Sequence, residues 1–490
     1  MLTIERLMLW ILFILLFTMA VRVPVDTDTW WHLRSGDRIL DTWEIPKEDT
    51  FSFTKNGTEW IDHSWGAQVL LTLSYRVTGG SGKTNDGGVV GLALFTALLG
   101  TGGMAFVYRM CAGNVYTRAF VMVFGAATAA VFWSPRPQMF SFLLSAVILY
   151  LLYLYKFHRR DSLWGIPLLM VLWVNLHSGF AIGFILLFGF MIGEAAANIL
   201  NPEDAVQWNR LGKVGLVTVV SVLVLSINPY GPRMMVYPFE TAGLQTLNLF
   251  IQEWQSPNFK IPQTWPFLIM LAAIITFAGA TQKRMAWSDI SLTAGTVLLA
   301  LWAGRNIAVF AVAATPALSR LVNAYLEERG WHLRPMKNVK GTRLVINWIL
   351  LMIVAFGGLA KIGSDLLPEN VEEVQEELLP LAAVSYLEKN PPQGNMLNSY
   401  NWGGLLMFLL PDFPVFVDGR TDLYGDKFLK DYFKTYLGAS DWRVMLEKYD
   451  IQVVVVEDEN ALATLLREDD SWEIVYEDDQ AVILEKAASE

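Results

Sequence analysis

Two aspartates one residue apart, Asp26 and Asp28, stand where a long apolar run gives way to polar sequence (VDTDTWWHLRSGD, 25–37), and His32 lies four residues beyond Asp28. If the chain turns helical near Thr29, Asp28 and His32 fall at i and i+4 on one face, so that carboxylate and imidazole address a common target. Beside a Trp-rich apolar surface a carboxylate loses hydration. Its pKa rises toward the working pH, and it can take a proton from an acceptor hydroxyl. Asp26 and Asp28 could equally hold a divalent metal, Mg or Mn, that clamps a phosphate. The plainer alternative for Asp28 is an N-cap on the helix containing Trp30 to Leu40.

Further along, Arg136 sits between two prolines (SPRPQ, 134–138) and Arg305 opens a late apolar run (GRN, 304–306). A guanidinium is a planar fork matched to phosphate oxygens, although an arginine at a helix end also snorkels or meets a lipid headgroup. Glu253 beside Trp254 pairs a carboxylate with an aromatic face, a combination that suits a sugar ring; an aromatic belt at the membrane boundary accounts for Trp254 as well. His63 (EWIDHSW, 59–65) and His177 (NLHSG, 175–179) complete the substrate-binding candidates, each with the simpler role of closing a helix end. Asn228-Pro-Tyr-Gly reads as a helix stop.

These residues need elements to position them, and the composition says which kind. With 53% hydrophobic residues and a mean hydropathy of +0.37, the chain is too apolar for a soluble enzyme of its length. Apolar runs near 7–25, 88–107, 116–133, 139–155, 164–177, 181–200, 214–228, 265–280, 289–303, 306–323 and 344–361 predict about eleven transmembrane helices. The first run lacks a small-x-small cleavage site and reads as a retained helix. The stretch 65–77 is too short to span and predicts a helix lying on the membrane. A net charge of -10 leaves no basic surface for nucleic acid. The single cysteine, Cys111, allows no internal disulfide.

With the N-terminus inside, the loops at 109–118, 156–160, 201–213, 281–287 and 320–343 become cytoplasmic and hold fifteen Lys and Arg, against four in the short outer loops. Positive charge gathers on the cytoplasmic side of membrane proteins, which supports this orientation. Every candidate named above then falls on the opposite face, together with the C-terminal segment. Carboxylates, arginines and aromatics at an outer lipid boundary suit a lipid phosphate whose tail stays in the bilayer.

At this point the sequence resembles the GT-C superfamily of integral-membrane glycosyltransferases, relatives of protein O-mannosyltransferases, aminoarabinose transferases and oligosaccharyltransferases. The resemblance lies in the acidic residues just after the first span (Asp26, Asp28), the membrane-parallel helix in that loop, the many spans and an extracytoplasmic C-terminal domain. It implies inverting transfer of a sugar from a polyprenyl-phosphate donor, with a first-loop Asp as base or metal ligand and arginines on the donor phosphate. The acceptor, whether glycan, lipid or protein, stays open. The first loop has Asp-Thr-Asp where O-mannosyltransferases have adjacent Asp-Glu. The WWD signature of oligosaccharyltransferases is absent, its nearest string being NSYNWGG (398–404). The chain looks most like the bacterial members of the superfamily, placed in the cytoplasmic membrane.

The expected organisation is a transmembrane GT-C-like domain over 1–361, with a first outer loop at 26–87, an acidic tether at 362–378, and a soluble α/β domain over 379–490. Residues 394–425 read strand, short helix, strand, turn, and 451–486 read strand, helix, hairpin. Asp418-Gly-Arg-Thr-Asp422 could reach the membrane site or bind an acceptor; its plainer reading is a surface turn with an Asp418–Arg420 pair. No phosphate-binding glycine loop occurs, which argues against direct use of a nucleotide. Two other readings compete, a lipid or solute transporter (flippase) and a non-catalytic envelope scaffold. Charges at one boundary and the lack of an internal repeat favour the enzyme over the transporter.

Overall fold

Apolar segments that must satisfy every backbone N–H and C=O without water fold as helices, and each apolar run of the sequence does so. The computed structural model describes residues 2–331 and 339–487; the middle of the basic stretch 320–343 and the last residues of 379–490 lie outside the described residues. In chain order the helices are α1 (Ile4–Ala20), α2 (Asp28–Thr42), α3 (Trp65–Val77), α4 (Gly88–Met110), α5 (Val115–Ala129), α6 (Gln138–Phe157), α7 (Gly165–Leu176), α8 (Ala181–Leu200), α9 (Trp208–Leu223), α10 (Tyr237–Ala242), α11 (Gln245–Phe250), α12 (Trp265–Ala280), α13 (Trp287–Trp302), α14 (Ile307–Glu328) and α15 (Thr342–Asp365). After them come α16 (Pro368–Glu376), α17 (Leu381–Lys389), β1 (Asn395–Asn398), α18 (Gly403–Leu409), α19 (Thr421–Tyr436), α20 (Arg443–Lys448), β2 (Ile451–Glu457), α21 (Ala461–Arg467), β3 (Trp472–Glu477) and β4 (Ala481–Lys486).

Among the described residues eight helical segments are long and apolar enough to cross a membrane, and the chain is a multi-pass membrane protein. This measure does not reach eleven spans. Helices α1, α7 and α13 have 17, 12 and 16 residues, short of the roughly 20 that a ~30 Å hydrocarbon core requires.

The chain forms two compact units. The first comprises 1–22, 93–238 and 251–365. Its centre is α14, which packs on α5, α6, α12 and α13. Ala308, Ala311, Ala314 and Ala317 are all buried there and let the neighbouring helices approach. The crossings are tight where glycine faces backbone: a methyl on Gly193 of α8 would lie 2.4 Å from Ser288 Cα of α13. Helix α15 touches mainly α1 and exposes Trp348, Ile349, Met352, Ile353 and Phe356, the apolar surface that lipid covers in a spanning helix.

The second unit comprises 23–92, 239–250 and 366–490. It has a four-stranded sheet in the order β1-β2-β4-β3, with β1 parallel to β2 and the other pairs antiparallel. The second strand expected before Asp418 is an isolated bridge instead, Val415 pairing with Ser52 of the first loop; Pro411 and Pro414 remove donors that a ladder would need. Helix α19 was not expected from the sequence. It consists of two helical pieces meeting at Gly425, whose φ of 72° lies in the left-handed region that glycine tolerates. Helix α16, within the acidic stretch 362–378, docks in this unit: buried Gln375 donates to the carbonyls of Pro24 (3.0 Å) and Thr84 (2.8 Å).

Candidate active site

The second unit holds the first-loop carboxylates. Asp26 Oδ1 accepts from the backbone N–H of Asp28 (3.1 Å), satisfying a donor at the start of α2. The N-cap weighed for Asp28 falls instead at Thr27, and Asp28 is the first residue of the helix. The carboxylate of Asp28 sits in the first turn of α2, where the helix dipole favours a negative charge, and its Oδ1 accepts from the indole Nε1 of Trp31 (3.2 Å). Both aspartates are half-buried.

His32 departs from the expected common target. It is 4% exposed, its ring lies against Trp31 at 3.5 Å between centroids, and its Nδ1 faces the amide Nε2 of Gln68 at 3.4 Å. The same amide nitrogen donates to Asp62 Oδ1 (2.7 Å), so a buried polar chain runs His32–Gln68–Asp62. Burial pushes the Asp62 carboxyl up to about 7, against the lowering effect of donors from Gln68 and the Ser64 backbone. Asp62, the neighbour of the candidate His63, is not among the residues named from the sequence. His63 lies in the turn before α3, where its N–H donates to Ile61 O (2.9 Å). One signal was available in the sequence, since an Asp between Ile61 and the apolar start of α3 has little water to ionise in.

Helix α3 turns two of its polar residues inward and leaves Arg76 exposed, paired with Asp37 and Asp41 of α2. Gln68 and Thr72 are buried against α2, and a methyl on Gly36 of α2 would lie 2.2 Å from Thr72 Oγ1. Leu70, Leu73 and Val77 are exposed. These three residues give the helix an apolar outer stripe.

The first unit brings four of the candidates together. Arg136 in the turn before α6, Glu253 and Trp254 in the turn before α12, and Arg305 in the turn before α14 meet at one carboxylate. Arg136 NH1 is 3.3 Å from Glu253 Oε2, its NH2 is 3.5 Å from Oε1, and Arg305 NH1 is 3.3 Å from Oε1. Burial raises the Glu253 carboxyl, but Arg136 and Arg305 outweigh it and hold the group below the usual range. Two guanidiniums thus share one carboxylate. The Glu253–Trp254 pair is not laid out as a sugar platform, because the carboxylate already accepts from Arg136 and the Arg305 guanidinium covers the Trp254 ring at 4.3 Å.

His177 has other partners. Trp173 Nε1 donates to Ser141 Oγ (2.7 Å), so the Ser141 hydroxyl can give its proton to His177 Nδ1 (2.7 Å), which also accepts from Gly179 N (3.2 Å). Donors on both sides of Nδ1 place the ring proton on Nε2. The residue closes the α7–α8 turn. Asn228 likewise ends a helix, with its side chain donating to Leu225 O (2.6 Å) and accepting from Tyr230 N (2.7 Å).

No group of three or more His, Cys, Asp and Glu side chains stands ready for a metal ion among the described residues. Asp26 and Asp28 are the two first-loop carboxylates that could face a divalent ion, and each already accepts an N–H.

The Asp418–Thr421 turn is not a surface feature. Asp418 is fully buried and Arg420 is 1% exposed. Arg420 donates to Asp418 Oδ1 (2.8 Å) and Oδ2 (2.6 Å) and to Asp49 Oδ1 (2.7 Å), within a wall that includes Trp60 and Phe51. No local pattern pointed to Asp49, 371 residues away from its partner.

No protein-family model matches this sequence, and no curated protein matches it. Solved structures do. The archaeal oligosaccharyltransferase AglB from Archaeoglobus fulgidus, in complex with an inhibitory peptide and a dolichol-phosphate, is similar at a TM-score of 0.61 and 11% identity over 91% of this chain and 69% of that one. The oligosaccharyltransferase of the same organism in complex with Zn and sulfate gives 0.55 and 14% over 91% and 68%. ArnT from Cupriavidus metallidurans bound to undecaprenyl phosphate gives 0.48 and 14% over 98% and 97%. At these identities the likeness is one of fold, and that fold is GT-C.

Proposed function

We propose that this chain is a glycosyltransferase that moves a sugar from a polyprenyl-phosphate carrier to an acceptor at the extracytoplasmic face of a bacterial cytoplasmic membrane. The observation that carries the reading is the convergence of Arg136 and Arg305 on Glu253, which orients a pair of guanidinium forks at the ends of apolar helices. A GT-C relative in fold, AglB, was solved with a dolichol-phosphate, and the anion on such a carrier is what these forks suit.

In this reading Asp28 is the base. It takes the proton of an acceptor hydroxyl as that oxygen attacks the anomeric carbon; the new C–O bond forms while the bond from carbon to phosphate oxygen breaks, and the configuration inverts. The Arg136 and Arg305 guanidiniums are matched to phosphate oxygens such as those of the carrier. Asp26 holds the start of α2, and His32 supports it from within through Gln68. A divalent ion held by Asp26 and Asp28 would supply further charge neutralisation at phosphate. We assign eleven passes, counting α1, α7 and α13, with the N-terminus cytoplasmic. The membrane domain covers 1–361 with its outer loop at 26–87, 362–378 is the connection, and 379–490 is the extracytoplasmic domain. The exposed stripe Leu70, Leu73 and Val77 supports a membrane-parallel α3.

The test is purified protein in lipid with a panel of polyprenyl-phosphate sugars and a membrane extract as acceptor source, scored by release of free polyprenyl phosphate. Wild type releases carrier, and Asp28→Asn loses ~10²-fold or more, as for a positioned base, while Asp26→Asn loses less. Release indifferent to both changes, or none from any donor, sinks the reading in favour of transport or scaffolding.

A further inference from the structure

The turn from Asp418 to Thr421 is held from two sides. On one, the Arg420 guanidinium joins Asp418 and Asp49, and Tyr424 donates its hydroxyl to Asp418 Oδ2 (2.8 Å). On the other, the Tyr400 hydroxyl reaches Gly419 O (3.3 Å) and the Thr421 hydroxyl (2.6 Å). Tyr400 comes from NSYNWGG, and the two glycines of that string are also packed tight. A methyl on Gly403 would lie 2.0 Å from Val417 O, and one on Gly404 would lie 2.7 Å from Thr27 O.

What this fixed turn presents to the first loop is Gly419. A methyl there would lie 2.0 Å from Asp28 Oδ1 and 3.2 Å from Trp31 Nε1, the indole that donates to the same carboxylate. Gly419 does not have a positive φ, so space rather than backbone conformation demands glycine. A buried ion triad is a poor device for stability alone, since apolar side chains of similar volume often do as well. It is a good device for holding a backbone in one place.

We propose that the Asp418–Thr421 turn positions the Asp28 carboxylate, with Gly419 as its seat and Arg420 as the staple that keeps the seat rigid. This rests on the transferase reading and deepens it: a segment almost 400 residues from the first loop in sequence sets the direction of the base. Gly419, Arg420 and Tyr400 are positioning residues that act through Asp28. The Trp31 N–H and Gly419 both close on the Asp28 carboxylate, and a shift of ~1 Å at a reacting group is enough to cost ~10²-fold in rate.

The test has two arms. In the first, Gly419→Ala is made in wild type and in Asp28→Asn, and kcat and KM for carrier release are measured separately. The expected result is a kcat loss of ~10²-fold with KM little changed in wild type, and almost no further loss in Asp28→Asn, because a residue that acts only through another is silent once that one is gone. Tyr400→Phe, which keeps the ring and loses the hydroxyl, serves if Gly419→Ala does not fold, with the same silence expected in Asp28→Asn. Equal losses in both backgrounds would mean that the turn serves the fold alone and would overturn the proposal. In the second arm, Asp28→Cys with Gly419→Cys in a Cys111→Ser chain is oxidised mildly and its free thiols are counted. Loss of both thiols within one chain supports the seat, and their survival overturns it. If wild type releases no carrier at all, the transferase reading falls while the thiol count still decides whether the turn faces residue 28.

Discussion

Replacing Arg420 with Met keeps much of the stem that packs against Phe51 and Trp60 and removes the charge between two fully buried carboxylates, Asp49 and Asp418. Breaking a buried ion pair from one side costs about 3–5 kcal/mol. An independent route gives a similar figure. If one carboxyl must take a proton at pH 7 when its unfolded pKa is about 3.9, the roughly three intervening units cost about 4 kcal/mol at 1.36 kcal/mol each. For a unit of this size that lowers the midpoint of thermal unfolding by about 8–16 °C.

The pH dependence distinguishes this cause from lost packing. In wild type, burial pushes Asp49 up, but Arg420, the Ser52 hydroxyl and the Phe51 N–H outweigh it and hold the carboxyl below the ordinary range. The stability from such a depressed acid is complete above the unfolded value near 3.9 and is lost only as pH falls through the lower folded value. It therefore adds no slope between pH 7 and pH 5. In Arg420→Met a carboxyl is raised, so the variant gains about 1.4 kcal/mol relative to wild type per unit of acidification. The deficit of about 4 kcal/mol at pH 7 shrinks to about 1.3 kcal/mol at pH 5. The assay is intrinsic tryptophan fluorescence during heating of both proteins in detergent at the two pH values. A deficit under about 1 kcal/mol, or one unchanged by acid, refutes the reasoning. Asp49→Asn with Asp418→Asn added to Arg420→Met recovers most of the loss.

Asp62→Asn tests the buried polar chain. Because the Asp62 carboxyl is pushed up to about 7, the folded state binds its proton more tightly, and wild-type stability rises as pH falls from 7 toward 4. The Asn variant lacks that rise, and parallel curves of unfolding midpoint against pH would contradict the assignment. Gly193→Leu forces α8 from α13, where Ser288 Cα and the Trp287 carbonyl leave no space for a methyl; a loss of about 1–3 kcal/mol is expected from overpacking. Gly215→Leu, with open space around it, serves as the tolerated control in the same melts. Arg305→Ala removes one of the two forks at Glu253 and is expected to weaken polyprenyl-phosphate binding by ~10–100-fold, the worth of a charge-assisted hydrogen bond. Unchanged binding would remove Arg305 from the phosphate site.

The helices were legible because their cause is local. A run of apolar residues carries its own reason to be a helix, and α2 announced itself by the acidic start at Asp26 and Asp28. Arg136, Glu253, Trp254 and Arg305 were each legible as candidates on separate connections. Their meeting was not, since Arg136 and Glu253 are 117 residues apart and nothing periodic links them. The Asp418–Arg420 pair suggested a surface turn because adjacent opposite charges usually mean one; only Asp49, supplied from the first loop, makes it a buried triad. Helix α19 did leave a trace. Tyr424, Phe428, Tyr432 and Tyr436 recur every four residues, but Gly425 inside the run reads as a breaker and hid the period.

That contrast explains how a chain without a sequence match can share a fold with AglB at 11% identity. Membrane-facing and helix-packing positions ask only for apolar character and a suitable volume, so they drift freely while the packing persists. A buried charge has no such freedom. Arg420 without Asp49, or Asp418 without Arg420, is a liability of several kcal/mol, so the triad must be kept or replaced as a set. Its members lie in the first loop and in the C-terminal segment, within one compact unit. Any change that relaxes one of them therefore acts on both segments, and through Gly419 on the seat of Asp28.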